Sequence, residues 1–470
     1  MLLIYLAVVG GIAVWLFSCL TSPVTKAPGP WYTLFTSFVL KYHEMTANRR
    51  LYVHDLHNKY GPVVRLGPNE LSFAGVEAAK EIYQSGGSGY EKTEFYSLFT
   101  QYGHKTLFST LERDQHATKK RIFADRYANT NIMRPEVLDS ILENAQLFLN
   151  KCLSYPGTVA DVYIWLHCYA LDCVTHHLFH PYGSHSLTDP TDRQLMEELS
   201  YHNSIQKNYL RYYSPTLYDI LQRTIFTPAK YAPLSNAFVL KSSGHTDTAP
   251  FTVVDKLQTK LPPISVAAEC MDHMAAGIDT TGDALCFLMY HLSLPQSAAI
   301  QNRMSDEMIQ NPDLPFDQLP YLEAVVKEGL RVFAPIPMSL PRYVPAGGRT
   351  IDGTFVPGGA IVSSQPHTIH RWDSEVFPRP DEFIPERWLS EKGDLERNRQ
   401  FFAFANGGRG CTGRNLAIAE MKILLREVYS RYSTQVPPTM TASMEVSDQI
   451  IASRPKDQKC LLKFTPIVVA

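Results

Sequence analysis

None of the eight cysteines forms a CxxC pair or a zinc-ligand spacing, which excludes a thioredoxin-like redox motif and a zinc finger. No Asn-x-Ser/Thr sequon occurs, in keeping with a domain that faces the cytosol. Low-complexity blocks, long charge runs, Gly/Ser linkers and internal repeats are missing as well. Nothing in composition therefore divides the 470 residues, and one large domain after an N-terminal appendage is the simplest organisation. A net charge of −2 carries no footprint for nucleic acid. No G-x-G-x-x-G fingerprint follows a strand-like run, so the signature of a built-in dinucleotide site is absent too.

Charge is absent from the first 25 residues, and Leu2 to Leu20 is almost wholly apolar, long enough to cross a bilayer as a helix. Lys26, Lys41, Arg49 and Arg50 follow it, which by the positive-inside rule puts the bulk of the chain on the cytoplasmic side. A cleaved signal peptide would need a basic leading region and a small-residue cleavage site, and neither is present. The expected division is a membrane anchor over 1–25, a proline-containing lead-in over 26–50 and the main domain over 51–470. Ala27-Pro28-Gly29-Pro30 reads as a stiff elbow between anchor and domain.

Hydrophobic residues make up 45% of the chain, sufficient for a substantial core. Tyr60 to Phe73 has turn signals around two short β-prone runs and reads as a hairpin. From Val76 to Leu330 the pattern is mostly helical, with breaks at Pro135, Pro181, Pro190, Pro215, Pro228 and Pro233. After Pro335 the runs Arg349–Ile351 and Ala360–Ser363 indicate strands, helix returns after Cys411, and Ala442 to Ala470 alternates like a terminal hairpin. The fold class is mainly α with small β-sheets, preceded by one N-terminal transmembrane helix.

The most informative stretch is Phe404-Ala-Asn-Gly407-Gly-Arg409-Gly-Cys411-Thr-Gly413, which reads F-x-x-G-x-R-x-C-x-G and opens the apolar helical run Asn415 to Tyr429. A cysteine in a glycine-rich turn at a helix start meets backbone N–H groups and the positive helix end. Both favour thiolate, the form that ligates a metal. The pattern resembles the haem-binding loop of the cytochrome P450 superfamily. That resemblance implies the cytochrome P450 fold, with haem b bound through Cys411 as the axial iron ligand. Phe404, Gly407, Arg409 and Gly413 would then form the loop that holds it.

Ile264 to Leu294 is bounded by prolines and helix-compatible throughout, a span of about 46 Å. Midway stands Ala276-Gly277-Ile-Asp279-Thr280-Thr281, a poor helix interior at which the backbone ladder is expected to open. It is similar to the family's oxygen-activation segment, which implies that Asp279 and Thr280 deliver protons. Glu328 and Arg331 are spaced i,i+3 on a short helix, Tyr321 to Phe333. With Pro385-Glu386-Arg387-Trp388 they resemble the family's E-x-x-R and P-E-R-[FW] elements, implying a structural charge network of Glu328, Arg331 and Arg387.

Haem propionates need cations. Arg409 matches a family position for this role, and Arg342 is a second candidate. The family's W-x-x-x-R helix is degraded to Asp114-Gln-His116-Ala-Thr-Lys-Lys120-Arg121, where His116 and Lys120 take the places of Trp and Arg. A basic face of Lys119, Lys120, Arg121, Arg414 and Lys422 is expected to dock an acidic redox partner. Family topology points for substrate contacts to Tyr90–Phe108, Tyr201–Phe238, the helix face with Met271, Ala275 and Ala276, and Ile336–Leu340. Their Tyr, Phe, Leu and Met content suits a hydrophobic small molecule.

The resemblance thus implies a membrane-bound monooxygenase of the endoplasmic reticulum. Electrons would come from NADPH through a separate cytochrome P450 reductase, with cytochrome b5 as a further donor. The wording of the motifs looks like fungal members that serve secondary metabolism. The rivals are a haem-thiolate isomerase or dehydratase that consumes no oxygen, and a non-catalytic membrane haem-binding protein. Asp279 and Thr280 speak against the first, because such chemistry needs no proton delivery.

Overall fold

Proline at a helix's first residue forfeits no intrahelical bond and arrives with a helical φ. Pro263 uses this to start a central helix that runs to Leu292. The computed structural model describes residues 1–84, 89–201, 205–224 and 232–468. Pro135, Pro190, Pro215, Pro233 and Pro320 also stand at first helical positions. The prolines read as breaks are thus helix starts, except Pro181, which follows a cis His180–Pro181 bond, and Pro228, which lies outside the described residues.

The central helix packs chiefly on a flanking helix, Val162–Phe179, that is buried along almost its whole length. Two glycines set how closely they approach. A Cβ on Gly277 would lie 2.8 Å from Val174 Cγ2, and one on Gly282 would lie 2.8 Å from the His167 ring. The expected opening of the ladder does not occur, because the segment is one continuous α-helix. Thr280 Oγ1 bonds back to the Ala276 carbonyl at 2.6 Å, so the hydroxyl is satisfied without parting the backbone. Gly277 is there for helix contact rather than for a kink. The same core takes in the helices Pro135–Leu153, Pro320–Val332 and Arg414–Tyr429.

The hairpin read from Tyr60 to Phe73 forms as Val63–Gly67 paired antiparallel with Glu70–Phe73. Ile361–Ser363, Arg342–Tyr343 and Glu91–Lys92 extend it to five strands. The register sets Lys92 opposite Arg342. Arg349–Ile351 and Thr354–Val356 make a separate hairpin. The C-terminal stretch is not one hairpin. Val446–Asp448 pairs with Ser453–Pro455, whereas Leu461–Pro466 joins Tyr432–Gln435 and Val159–Asp161. Alternation marks a strand but not its partner.

At the N-terminus the helix Leu2–Thr21 is long and apolar enough to cross a membrane. The lead-in after it is held by Arg65 of the first strand. Its guanidinium donates to the carbonyls of Thr25 at 2.9 Å and Ala27 at 2.7 Å, and its amide donates to Pro28 O at 2.8 Å. A Cβ on Gly29 would stand 2.8 Å from the Arg65 carbonyl, so the proline elbow lies directly against the sheet.

Candidate active site

Gly407 shows why the cysteine loop is written with glycine. Its φ is +72°, and a Cβ would sit 2.0 Å from the Tyr83 carbonyl, so no L side chain fits. The turn closes through Gly410 N to Gly407 O at 3.0 Å and Cys411 N to Phe404 O at 2.8 Å. Gly413 then precedes the helix Arg414–Tyr429 with an ordinary φ of −79°. Phe404 is partly buried beside Phe401, with the Arg414 guanidinium 5.8 Å from its ring.

The Cys411 side chain remains exposed. Packing behind it pushes the thiol up, against the amides of Gly413 and Arg414 and the charges of Lys120 and Arg414. The amides and cations that favour thiolate surround the sulfur, and the groups packed behind it oppose them while its outer face stays open.

Beside this loop five basic side chains converge. His116 is pushed down to about 2 by burial, then by Lys92, Arg409, Lys120 and Arg342 in turn. Buried Lys92 is likewise held well below its ordinary value, by burial first and then by Arg342 and Arg409. Its ammonium donates to Phe108 O at 2.6 Å. Arg342 Nη1 donates to the Tyr96 hydroxyl at 2.6 Å, and Arg409 Nη2 pairs with Glu91 at 2.8 Å. Arg409 Nη1 is buried with no partner among the described residues. Lys120 donates to the carbonyls of Gly408 at 3.0 Å and Gly410 at 3.2 Å, tying the basic helix to the loop. Crowding without enough carboxylate is what depresses His116 and Lys92: Arg342, Arg409 and Lys120 outnumber the nearby Glu91 and Asp272, and burial pushes Asp272 up to about 7. Such a cluster calls for an added anion.

The central helix is buried from Val266 to Asp272 and from Thr281 to Met289, yet Ala276 between them is exposed and Ala275, Asp279 and Thr280 are partly so. Asp279 Oδ1 accepts from Ser200 Oγ at 3.0 Å. Glu328 lies buried among several donors. Arg331 meets it through Nε and Nη2, both at 2.9 Å, Arg387 Nε donates at 3.0 Å and Trp388 Nε1 at 2.9 Å.

Comparison with known proteins agrees with this geometry. The family profile described as Cytochrome P450 matches residues 27–462. The chain belongs to the cytochrome P450 family. It is 27% identical to cytochrome P450 monooxygenase orf2 of Aspergillus niger, covering 95% of this chain and 94% of that protein. It is 28% identical to cytochrome P450 monooxygenase stcB of Emericella nidulans, covering 94% and 89%. Another relative, hkm5 of Aspergillus hancockii, is 26% identical over 92% and 88%. The protein is a cytochrome P450 monooxygenase with fungal relatives.

A cytochrome P450 binds haem through a cysteine thiolate, and the residues present fit that group. An accessible thiol stands on a fixed turn, and Arg409 Nη1, without a partner among the described residues, together with the crowded basic groups around His116 suits two carboxylates. Lys92 is the member that the sequence reading missed, because a lone lysine in an aromatic stretch carries no motif. His370, which joins Arg331 to the loop, was equally unmarked. The expected docking face is only partly exposed. Arg121 and Arg414 are open to solvent, but Lys422 is buried and paired with Glu323. The substrate stretches do meet: Phe95, Tyr96, Ile205, Tyr209, Met338 and Leu340 share one apolar cluster. Ile450 and Ile451 of the tail join it, and residues 202–204 and 225–231 lie outside the described residues. Met271, by contrast, is buried in the main core rather than in this cluster.

Proposed function

We propose that this cytochrome P450 oxidises a hydrophobic small molecule, typically by hydroxylation, with dioxygen and with electrons from NADPH through a separate reductase. The observation that supports this most is the accessible Cys411 thiol beside a crowded basic cluster, in a protein whose buried central helix leaves Ala276 exposed and Asp279 and Thr280 partly so. Haem bound there supplies dioxygen activation and transfer of one oxygen atom. Cys411 would hold the haem through its thiolate. Arg409, Arg342, His116 and Lys92 neutralise or hydrogen-bond the propionates, while Lys120 braces the loop through Gly408 and Gly410.

Asp279 is the local acid, oriented by Ser200. The Thr280 hydroxyl, held on the helix by Ala276 O, passes the proton where oxygen is activated. A local acid and hydroxyl are required because the site otherwise excludes water. Glu328, Arg331 and Arg387 hold the loop and take no part in chemistry. Aromatic and aliphatic side chains of the 95–108, 205–212 and 336–340 stretches orient an apolar substrate.

Arg121 and Arg414, both exposed, receive an acidic reductase or cytochrome b5. Helix Leu2–Thr21 anchors the enzyme in the endoplasmic reticulum with its domain toward the cytosol, and its place is fungal secondary metabolism. The absorption difference spectrum of reduced protein with and without carbon monoxide tests the core of this reading. A strongly red-shifted Soret band, absent in Cys411→Ala, is expected. A band typical of imidazole ligation would overturn the ligand assignment. Thr280→Ala should uncouple NADPH consumption from product, and unchanged coupling would remove Thr280 from the mechanism.

A further inference from the structure

One helical turn beyond Asp279, and on the same face, the central helix carries a second carboxylate, Asp283. Its partner is His167 of the flanking helix, whose Nε2 lies 3.5 Å from Asp283 Oδ1. Both residues are buried, and among the described residues neither of these atoms has a hydrogen-bond partner, so the two face each other at ion-pair range only. Gly282 permits the approach, since a Cβ there would lie 2.8 Å from the imidazole.

The other ring nitrogen, Nδ1, is 2.7 Å from the Tyr163 carbonyl. A carbonyl only accepts, so Nδ1 bears a proton. One proton held on either Nε2 or Oδ1 then stabilises the contact, because two facing lone pairs in a buried site are unfavourable. The pair therefore stores one transferable proton. Nothing in a purely apolar helix contact requires this.

We propose that His167 and Asp283 are positioning residues that store a proton and resupply Asp279 with it. This rests on the reading of Asp279 as the acid beside Thr280. The relay passes one proton to the Asp279 carboxylate while a proton from bulk solvent replaces it on the pair, so neutral His167 facing ionised Asp283 does not accumulate, and no redox change is involved. Contact with solvent runs past Ser200. Its hydroxyl donates to Asp279, and its carbonyl accepts from Arg454 Nη1 and Gln458 Nε2, each at 3.0 Å. Gln458 also donates to the Tyr163 hydroxyl at 2.8 Å. Arg454 and Gln458 are both partly exposed.

The groups facing the pair are Tyr163 and Asp161 at the start of the flanking helix, Asp279 and Cys286 on the central helix, and Arg454 from the tail hairpin. Burial, against the opposing His167, pushes the Asp283 carboxyl up to about 6. The His167 imidazole is raised despite burial, because Asp283 stabilises its cation.

The test uses the full-length haem-loaded enzyme with NADPH and reductase and no added substrate. His167→Gln and Asp283→Asn keep shape and polarity but remove the shared proton. pH-difference infrared spectra of the wild type should show a protonated-carboxyl band that titrates with an imidazole band and is lost in both variants. NADPH oxidation should fall about tenfold in both, with a larger solvent deuterium isotope effect and an unchanged carbon monoxide spectrum. Asp283→Glu, which keeps the proton, should recover the rate and so separates proton storage from packing. Absence of the titrating band overturns the inference. So does a band whose loss leaves NADPH oxidation and the isotope effect unaltered, which would make the pair a structural bridge only. Asp279→Asn is the reference: if it too changes nothing, the reading of Asp279 falls together with this one. If it slows turnover while the pair variants do not, only the proton store is refuted.

Discussion

His370 Nε2 accepts the backbone amide of Phe402 at 2.8 Å, at the entry to the loop that ends in Cys411. Nδ1 of the same ring lies 3.0 Å from the Arg331 carbonyl and donates to it. One imidazole thus ties the Glu328 network to the cysteine loop, and it must be neutral to do so. Burial, then the charges of Arg331 and Arg371, push it down to about 3, which secures that state.

His370→Ala should leave a buried amide and a buried carbonyl unpaired, at a cost of about 1–3 kcal/mol. Haem should also dissociate faster from the variant. The pH dependence has a definite sign. A histidine with a depressed folded value contributes stability above its ordinary range, which is lost as pH falls toward about 3. Thermal melts of the variant should lack that acid component. Equal slopes in both proteins would show that His370 is not the group responsible.

Glu328 accepts from Arg331, Arg387, Trp388 and the Ile384 amide. Burial raises its carboxyl, but Arg331 and then Arg387 outweigh it, and the net shift is downward. Glu328→Gln should cost about 3–5 kcal/mol by leaving Arg331 and Arg387 uncompensated. The wild type should lose this contribution as pH falls through the depressed value of Glu328. Denaturant midpoints at neutral and acid pH measure both effects, and a loss below 1 kcal/mol at neutral pH would contradict the network's role.

Glu420, on the helix Arg414–Tyr429, is buried against the central helix, where its Oε2 accepts from Thr281 Oγ1 at 3.3 Å. Burial pushes it up to about 8, with the Thr281 bond opposing. The sign is therefore opposite to that of Glu328. Stability is fully present below the ordinary carboxylate value and is lost as pH rises through about 8. Glu420→Gln keeps an acceptor for Thr281 and has nothing to ionise. Its melting temperature should exceed the wild type's by about 2 °C or more at mildly alkaline pH, with the gap closing in acid. A gap independent of pH would refute the assignment.

Gly277→Ala tests whether that glycine serves helix contact. The new methyl would meet Val174 Cγ2 at 2.8 Å. We expect a net loss of about 1–3 kcal/mol, overpacking outweighing the gain in helix propensity. Adding Val174→Ala should restore most of it. A Gly277→Ala protein as stable as wild type would mean that the glycine is there for another reason.

Local chemistry made much of this protein legible in one dimension. Gly407, Arg409 and Cys411 lie within five residues, so a turn, a cation and a thiol are specified by neighbours along the chain. Glu328 and Arg331 share a helix face by spacing alone. Proline positions were legible as interruptions, but whether each ended a helix or began one depended on what followed it.

Other relations join residues far apart in the chain, where no spacing rule applies. Lys92 comes opposite Arg342 through strand register, and His370 reaches Phe402 from another helix. The glycine of the Ala276–Thr281 segment is compatible with a kink or a close contact, and only Val174 in space decides between them. The thiol shows the same division. Its amides and cations follow from the loop, but the burial that raises it follows from packing. What the sequence by itself determined was the family, the loop, the apolar N-terminal helix and the pairs that one helical turn can bring together. Tertiary structure alone decided which buried charges face one another, because the cost of desolvation is set by everything packed around a group, not by its neighbours in the chain.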